Sequence, residues 1–173
     1  IFIGLESMGN AMESVKESQV IVDILGSISN PFLLLALGAI ATAVIQSSSA
    51  MAAIVISMVG SGLVIGNGGN SVLFVILGTN VGTCITALLS SIGATPNGRR
   101  ASLIHFMFNL FGSMIFTIIL LIWKDFMQGV LVKAIPDPKM QIAIFHILFN
   151  VLCTIMFLPL ANVFVRLSKL FIK

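Results

Sequence analysis

The chain reads as an all-α integral membrane protein, and three observations predict that class. Hydrophobic residues make up 58% of it and charged residues only 9%, with a mean hydropathy of +1.13. A water-facing domain carries about 25% charged residues to cover its surface. Several apolar stretches reach the roughly 20 residues that a helix needs to cross a bilayer. Between Ile24 and Gly98 there is no Asp, Glu, Lys or Arg, yet two polar segments lie inside that stretch: Gln46-Ser47-Ser48-Ser49 and Gly78-Thr79-Asn80-Val81-Gly82-Thr83. Irregular polar sequence at membrane depth survives only where protein or a water-filled cavity satisfies it. Both segments are therefore expected to line something wet or to coordinate something, as broken helices do at transport sites.

Taken in order, the elements form one membrane domain over residues 1–173. Residues 1–20 carry Glu6, Glu13, Lys16 and Glu17 among Ile3, Leu5, Met8, Met12 and Val15. That helical spacing predicts an amphipathic helix, or the end of one whose start is missing. The opening Ile1-Phe2-Ile3 has no initiator Met, which suggests a processed chain or a fragment. Ser29-Asn30-Pro31 marks a helix start.

A single helix over residues 32–64 would run roughly 50 Å at 1.5 Å per residue, against a hydrocarbon core of about 30 Å. It must break, and Gln46–Ser49 is the place, as a re-entrant hairpin or a discontinuous span. Gly60–Asn70, with five glycines and two asparagines, is a loop. Ser71–Gly78 and Cys84–Gly93 read as a second pair interrupted at Thr79–Thr83, so that residues 31–93 hold two interrupted helix segments. Residues 99–173 hold two transmembrane helices, Ala101–Trp123 and Met140–Leu160, and a basic C-terminal tail. Arg99, Arg100, Arg166, Lys169 and Lys173 flank one side of these helices and Lys124, Lys133 and Lys139 the other. That balance predicts a cytoplasmic C-terminus.

The chemistry available is that of neutral dipoles. Gln46, Ser47, Ser48 and Ser49 supply an amide and three hydroxyls, the oxygen ligands that a hard cation such as Na⁺ takes. At a helix break, carbonyls of the first half favour a cation and N–H groups of the second favour an anion. Serines also serve close helix packing in membranes, but three in a row would face different directions on an intact helix. Gly78–Thr83 offers Thr79, Asn80 and Thr83, with Thr86 one turn on, or else a glycine-mediated helix contact. No Lys follows Gly82, so it is not a nucleotide phosphate loop.

His105 with Asn109 and His146 with Asn150 repeat one pattern, His-x-x-Phe-Asn. Residues four apart share a helix face, so the four are candidates to line a cavity or to join helices. Arg99 and Arg100 are orientation anchors or an attraction for anions. Cys84 and Cys153 read as buried small hydrophobes. An enzyme is not expected: Gly-x-Ser-x-Gly is absent, and no paired carboxylates or metal-ligand cluster occur in the apolar segments. No cofactor is expected beyond a coupling ion, and the scattered cations do not form a nucleic-acid stripe.

At these residues the chain resembles the sodium-dependent phosphate cotransporter family, the type II group with its bacterial relatives. The resemblance rests on Gln46-Ser47-Ser48-Ser49-Ala50, Gly78-Thr79-Asn80-Val81-Gly82-Thr83, Arg99-Arg100-Ala101, both His-x-x-Phe-Asn helices and Gly4-Leu5-Glu6-Ser7-Met8, in order along nearly the whole chain. It implies an inverted-repeat transporter with one Gln-Ser-Ser-Ser motif in each half. Gln46, Ser47 and Ser48 would sit at a shared sodium and phosphate site, with Ser49 adjoining and Thr79, Asn80, Thr83 and Thr86 adding ligands. Na⁺ would be held through Gln46, Ser47, Thr79, Asn80 and Thr83.

Only one such motif is present, so the chain resembles one repeat, the C-terminal one, completed by a missing N-terminal repeat or by a homodimer. Met51 and Cys84 stand where many relatives have threonine, and the regulatory domain that some bacterial relatives append is missing. The expected function is sodium-driven symport of inorganic phosphate by alternating access, in a plasma or bacterial inner membrane. The rival expectations are another small anion carried with Na⁺, and a membrane assembly subunit whose polar motifs only pack.

Overall fold

In a computed structural model, which describes Asp23 and residues 26–172, every regular element is helical. They are α1 Pro31–Ile45, α2 Ser48–Gly60, α3 Ser71–Ser90, α4 Pro96–Ile122, α5 Pro138–Phe157 and α6 Ala161–Phe171. A π-helical turn, Met127–Leu131, runs into Val132–Ala134 between α4 and α5, and a 3-10 turn, Leu158–Leu160, separates α5 from α6. The helix expected over residues 1–20 lies outside the described residues. The basic segment after Leu160 is itself helical, α6, with Phe164 and Ser168 buried.

Three helices begin alike. Asn30, Thr95 and Asp137 each accept a backbone N–H of the first turn through a side-chain oxygen, and Pro31, Pro96 and Pro138 follow directly. The cap satisfies one orphan donor, and proline sits where its missing N–H costs nothing. Ser71–Ser90, Pro96–Ile122 and the run Pro138–Phe171 are long and apolar enough to cross a membrane, whereas α1 and α2 are shorter apolar helices. At 15 and 13 residues, each is roughly 20 Å long, below the roughly 30 Å of the hydrocarbon core.

α1 and α2 form a hairpin. Ile28, before α1, lies against Gly66, and Gly60 at the end of α2 lies against Lys139 at the start of α5. The two outer ends therefore share one end of the bundle, with the tip at Gln46-Ser47. Asn70 ties that same end together: its Nδ2 donates to Leu120 O (3.0 Å) and Trp123 O (2.8 Å), and its Oδ1 accepts from Met127 N at 2.8 Å. It serves carbonyls that the end of α4 would otherwise leave unpaired.

α3 is the centre of the molecule, with Leu73, Ile76 and Leu77 fully buried, and it is one uninterrupted helix. This corrects the expected break at Thr79–Thr83, and the reason is packing. Gly38 of α1 faces Val75 O, Gly78 faces Leu35 O, and Gly82 faces Ala39 O and Thr42 Cβ. Side chains at these positions would collide with backbone, so glycine here permits close approach of two helices, as small residues four apart do in membranes. The hydroxyls that suggested irregular backbone are satisfied within the helix: Thr79 Oγ1 donates to Ile76 O, Thr83 Oγ1 to Thr79 O and Thr86 Oγ1 to Thr83 O, each at 2.8 Å.

The remaining helices close around α3. Ser113 Oγ donates to Leu77 O at 3.1 Å and Ser102 Oγ to Ala87 O at 2.7 Å, so α4 runs antiparallel to α3. Edge-on aromatic pairs join α4, α5 and α6: Phe116–Phe149 at 5.0 Å, Phe108–Phe157 at 5.2 Å and Phe157–Phe164 at 5.4 Å between ring centroids.

Gly78→Val tests this packing. The added carbon would meet Leu35 O, a backbone atom that cannot swing aside, so the purified chain in detergent should lose about 3 kcal/mol or more in thermal unfolding. Gly129→Ala, where nothing lies within 4 Å, should change it by less than about 1 kcal/mol.

Candidate functional site

The hairpin tip is built by backbone conformation. Helix α1 stops because Gln46 turns into the left-handed region, φ 59° and ψ 23°, while its N–H still donates to Thr42 O at 2.7 Å. It is the only non-glycine residue with positive φ among the described residues. That conformation costs an L-residue roughly 1–2 kcal/mol, and such strain concentrates where geometry serves function. Ser47 is extended, φ −146° and ψ 108°, and caps α2 by accepting Ala50 N through its hydroxyl at 3.2 Å. Ser47 Oγ also lies 3.2 Å from Ser49 Oγ.

The last carbonyls of α1 and the first N–H groups of α2 therefore meet across two residues. The first end carries partial negative charge and the second partial positive charge. Gln46 and Ser49 are exposed, and Ser47 and Ser48 are half-buried, so the tip faces outward from this chain.

The α1–α3 packing sets what stands beside it. Contacts advance together along both helices, from Gly38 with Val75 to Thr42 with Gly82, so the two run parallel. One turn beyond Thr42 and Gly82 come Gln46 and Thr86. Of the α3 residues expected at the site, Thr83 and Thr86 are half-buried; with the hydroxyl proton donated inward, each leaves its lone pairs free for a cation.

Thr79 is fully buried and has no surface to offer a ligand. Asn80 is 5% exposed, and both ends of its amide are engaged. Its Nδ2 donates to Ile76 O at 3.0 Å, and its Oδ1 lies 3.3 Å from His146 Nε2. Asn80 thus ties α3 to α5 through His146, Thr79 bonds only within its own helix, and no hydrogen bond joins either to Gln46–Ser49 among the described residues.

The four cavity candidates separate in the same way. His146 reaches across to Asn80. Asn109 Nδ2 bonds back to His105 O at 3.0 Å, and Asn150 Nδ2 to His146 O at 2.8 Å. The repeated pattern is thus a repeated local bond one turn back along each helix, and no hydrogen bond joins the two histidines among the described residues. Cys84 Sγ lies 3.7 Å from both Asn80 O and His105 O, a buried filler between α3 and α4.

Two residues carry more than sequence reasoning assigned them. Asn70 falls at the end of the Gly60–Asn70 loop, and its role depends on carbonyls about fifty residues away in the chain. Thr42 is fully buried with its hydroxyl unpartnered, packed on Gly82 one turn before Gln46. Its spacing of four from Gln46 is the one signal that could have marked it. A cavity of about 340 Å³ lies elsewhere, against Phe32, Leu35, Val81, Leu110 and Thr117. It is apolar and unsuited to an ion.

The sequence profile of the Na+/Pi-cotransporter family matches residues 1–135. The chain belongs to that family. Among its relatives, the uncharacterized protein YqeW of Bacillus subtilis (strain 168) is 35% identical over 138 residues, 80% of this chain and 43% of that protein. "Putative inorganic phosphate export protein YjbB" of Escherichia coli (strain K12) is 25% identical over the whole chain and 31% of its own length. Human "Sodium-dependent phosphate transport protein 2B" is 38% identical over 87 residues, 47% of this chain and 12% of that protein. The chain thus spans less than half the length of the curated relatives it matches. No solved structure matches it.

Backbone strain at the tip of this family member is testable by thermal unfolding. Gln46→Gly should be neutral or stabilising by less than about 1 kcal/mol, since glycine accepts positive φ. Gln46→Val should destabilise by about 1–2 kcal/mol, because a branched side chain resists it. Equal loss in both variants would show that the Gln46 amide, not the backbone, holds the bend.

Proposed function

We propose that this chain contributes one half of a sodium-coupled phosphate symporter, with Na⁺ and phosphate bound at the hairpin tip. The observation that carries the reading is the break itself, where opposed helix ends meet beside exposed Gln46 and Ser49 and half-buried Ser47 and Ser48, in a stretch without charge. Ser48 and Ser49 lie in the first turn of α2, whose N–H groups suit phosphate oxygens. Gln46, the carbonyls ending α1, and Thr83 and Thr86 suit Na⁺. Asn80 and His146 tie α3 to α5.

Magnitudes explain why the ion must come along. Moving one small ion from water into a dry interior costs of order 20 kcal/mol, while a helix terminus returns about 0.3–1 kcal/mol, up to about 2 when partly buried. Neutral dipoles alone cannot desolvate phosphate, and from residue 24 to residue 98 no Arg or Lys can neutralise it. Bound Na⁺ supplies the missing charge. Each ligand then raises affinity for the other, since the coupling free energy is reciprocal.

The outward-facing tip calls for a second surface opposite it, from the missing repeat or from a second copy of this chain. Rocking of one half against the other about that site is the alternating-access step. Similarity of the whole of this chain to 31% of a protein named for phosphate export favours a second reading, in which net phosphate movement is outward.

Uptake of radiolabelled phosphate into liposomes holding the chain tests the proposal. An inward Na⁺ gradient should drive uptake, a K⁺ gradient should not, and Ser47→Ala should lower the rate at least about tenfold. Equal uptake under both gradients contradicts sodium coupling, and flux running only outward selects the export reading.

A further inference from the structure

α6 is strongly two-sided. Asn162, Arg166 and Lys169 are spaced by four and three and share one exposed face. Beside them Val163 is 49% exposed and Leu170 74% exposed, while Phe171 ends the helix on its other side. Phe164 anchors the helix, with ring centroids 5.4 Å from Phe157 and 6.1 Å from Phe111. The far end is pinned by Arg100, whose Nε donates to Ile172 O at 3.1 Å while its Nη1 donates to Asn97 Oδ1 at 2.9 Å.

These contacts gather Arg99, Arg100, Arg166 and Lys169 from two distant segments at one end of the bundle. The acidic residues nearest in sequence to either segment, Asp125 and Asp137, lie at the opposite ends of α4 and α5. Arg166 and Lys169 have no side-chain hydrogen-bond or ion-pair partner among the described residues.

We propose that this basic rim, with the exposed apolar residues of α6, docks the headgroup phosphates of anionic phospholipids in the leaflet it faces. The pairing of features selects the partner. A free anion would use the cations alone, whereas a phospholipid presents an anionic phosphate and hydrocarbon together, matching Arg166 and Lys169 flanked by exposed Val163 and Leu170. Amphipathic helices with basic polar faces lie at that boundary, and each cation near an anionic surface contributes about a fivefold gain in binding. The inference is independent of the transport site, which lies on α1–α3.

Native mass spectrometry of the purified full chain in detergent tests it, titrating phosphatidylglycerol against phosphatidylcholine of the same acyl chains. The wild type should bind phosphatidylglycerol preferentially. R166Q/K169Q should weaken that binding about 25-fold, and K124Q/K133Q, at the other end, should leave it unchanged. Raising salt should weaken binding of phosphatidylglycerol to the wild type, which tests the idea even if the double variant does not fold. Equal binding of the two lipids, retention of the preference in a folded R166Q/K169Q chain, salt-insensitive binding, or displacement of the lipid by millimolar inorganic phosphate would overturn it.

Discussion

Backbone-to-backbone packing of α1 on α3 is the constraint on which the rest depends. Gly38, Gly78 and Gly82 remove the side chains that would hold the helices apart. In hydrocarbon, apolar side chains gain nothing by leaving lipid, so such close dispersion contact is what binds one helix to another. The register it sets places Gln46 and Thr86 each one turn past the Thr42–Gly82 contact. The same contact buries α3 on the side facing α1 and leaves its remaining faces to α2, α4 and α5. A wider separation would leave the hairpin tip without a fixed neighbour.

Given that frame, the tip follows from the cost of unpaired backbone. A helix that stops in an apolar segment exposes carbonyls and N–H groups that must find partners. Gln46 turns the chain back at once, and Ser47 caps the returning helix. What remains unpaired is a small set of opposed dipoles facing outward. That arrangement suits a pair of ions of opposite sign far better than either ion alone. Under the proposed function, it is also how a segment without a single charged residue would serve an anion.

The break at Gln46 was legible because two independent signals agreed: an apolar run too long for the bilayer, and polar residues in its middle. The second motif misled because Gly, Thr and Asn spell two different structures. Gly78 and Gly82 permit either an irregular backbone or a tight helix crossing, and only the facing Gly38 decides between them. Thr79, Thr83 and Thr86 conceal their polarity by bonding to the preceding turn, which a sequence does not display. The His-x-x-Phe-Asn echo was a real recurrence, but of a local bond, with only His146 reaching another helix. Asn70 was invisible for a different reason: its three partners are brought to it by the fold. The candidate residues on α1–α2 therefore stay together as a group at the hairpin tip, and those on α3 separate by burial, which no spacing rule supplies.

The central claim is that Na⁺ and phosphate meet at the hairpin tip, and protection of that tip tests it most directly. Ser49 is exposed, while the native thiols Cys84 and Cys153 are buried, so Ser49→Cys gives one accessible thiol for a membrane-impermeant maleimide. The account predicts that Na⁺ and phosphate together slow labelling in reconstituted liposomes, and that phosphate in K⁺ does not. A labelling rate indifferent to both ions, in protein shown to be folded, would place the ions elsewhere and contradict it.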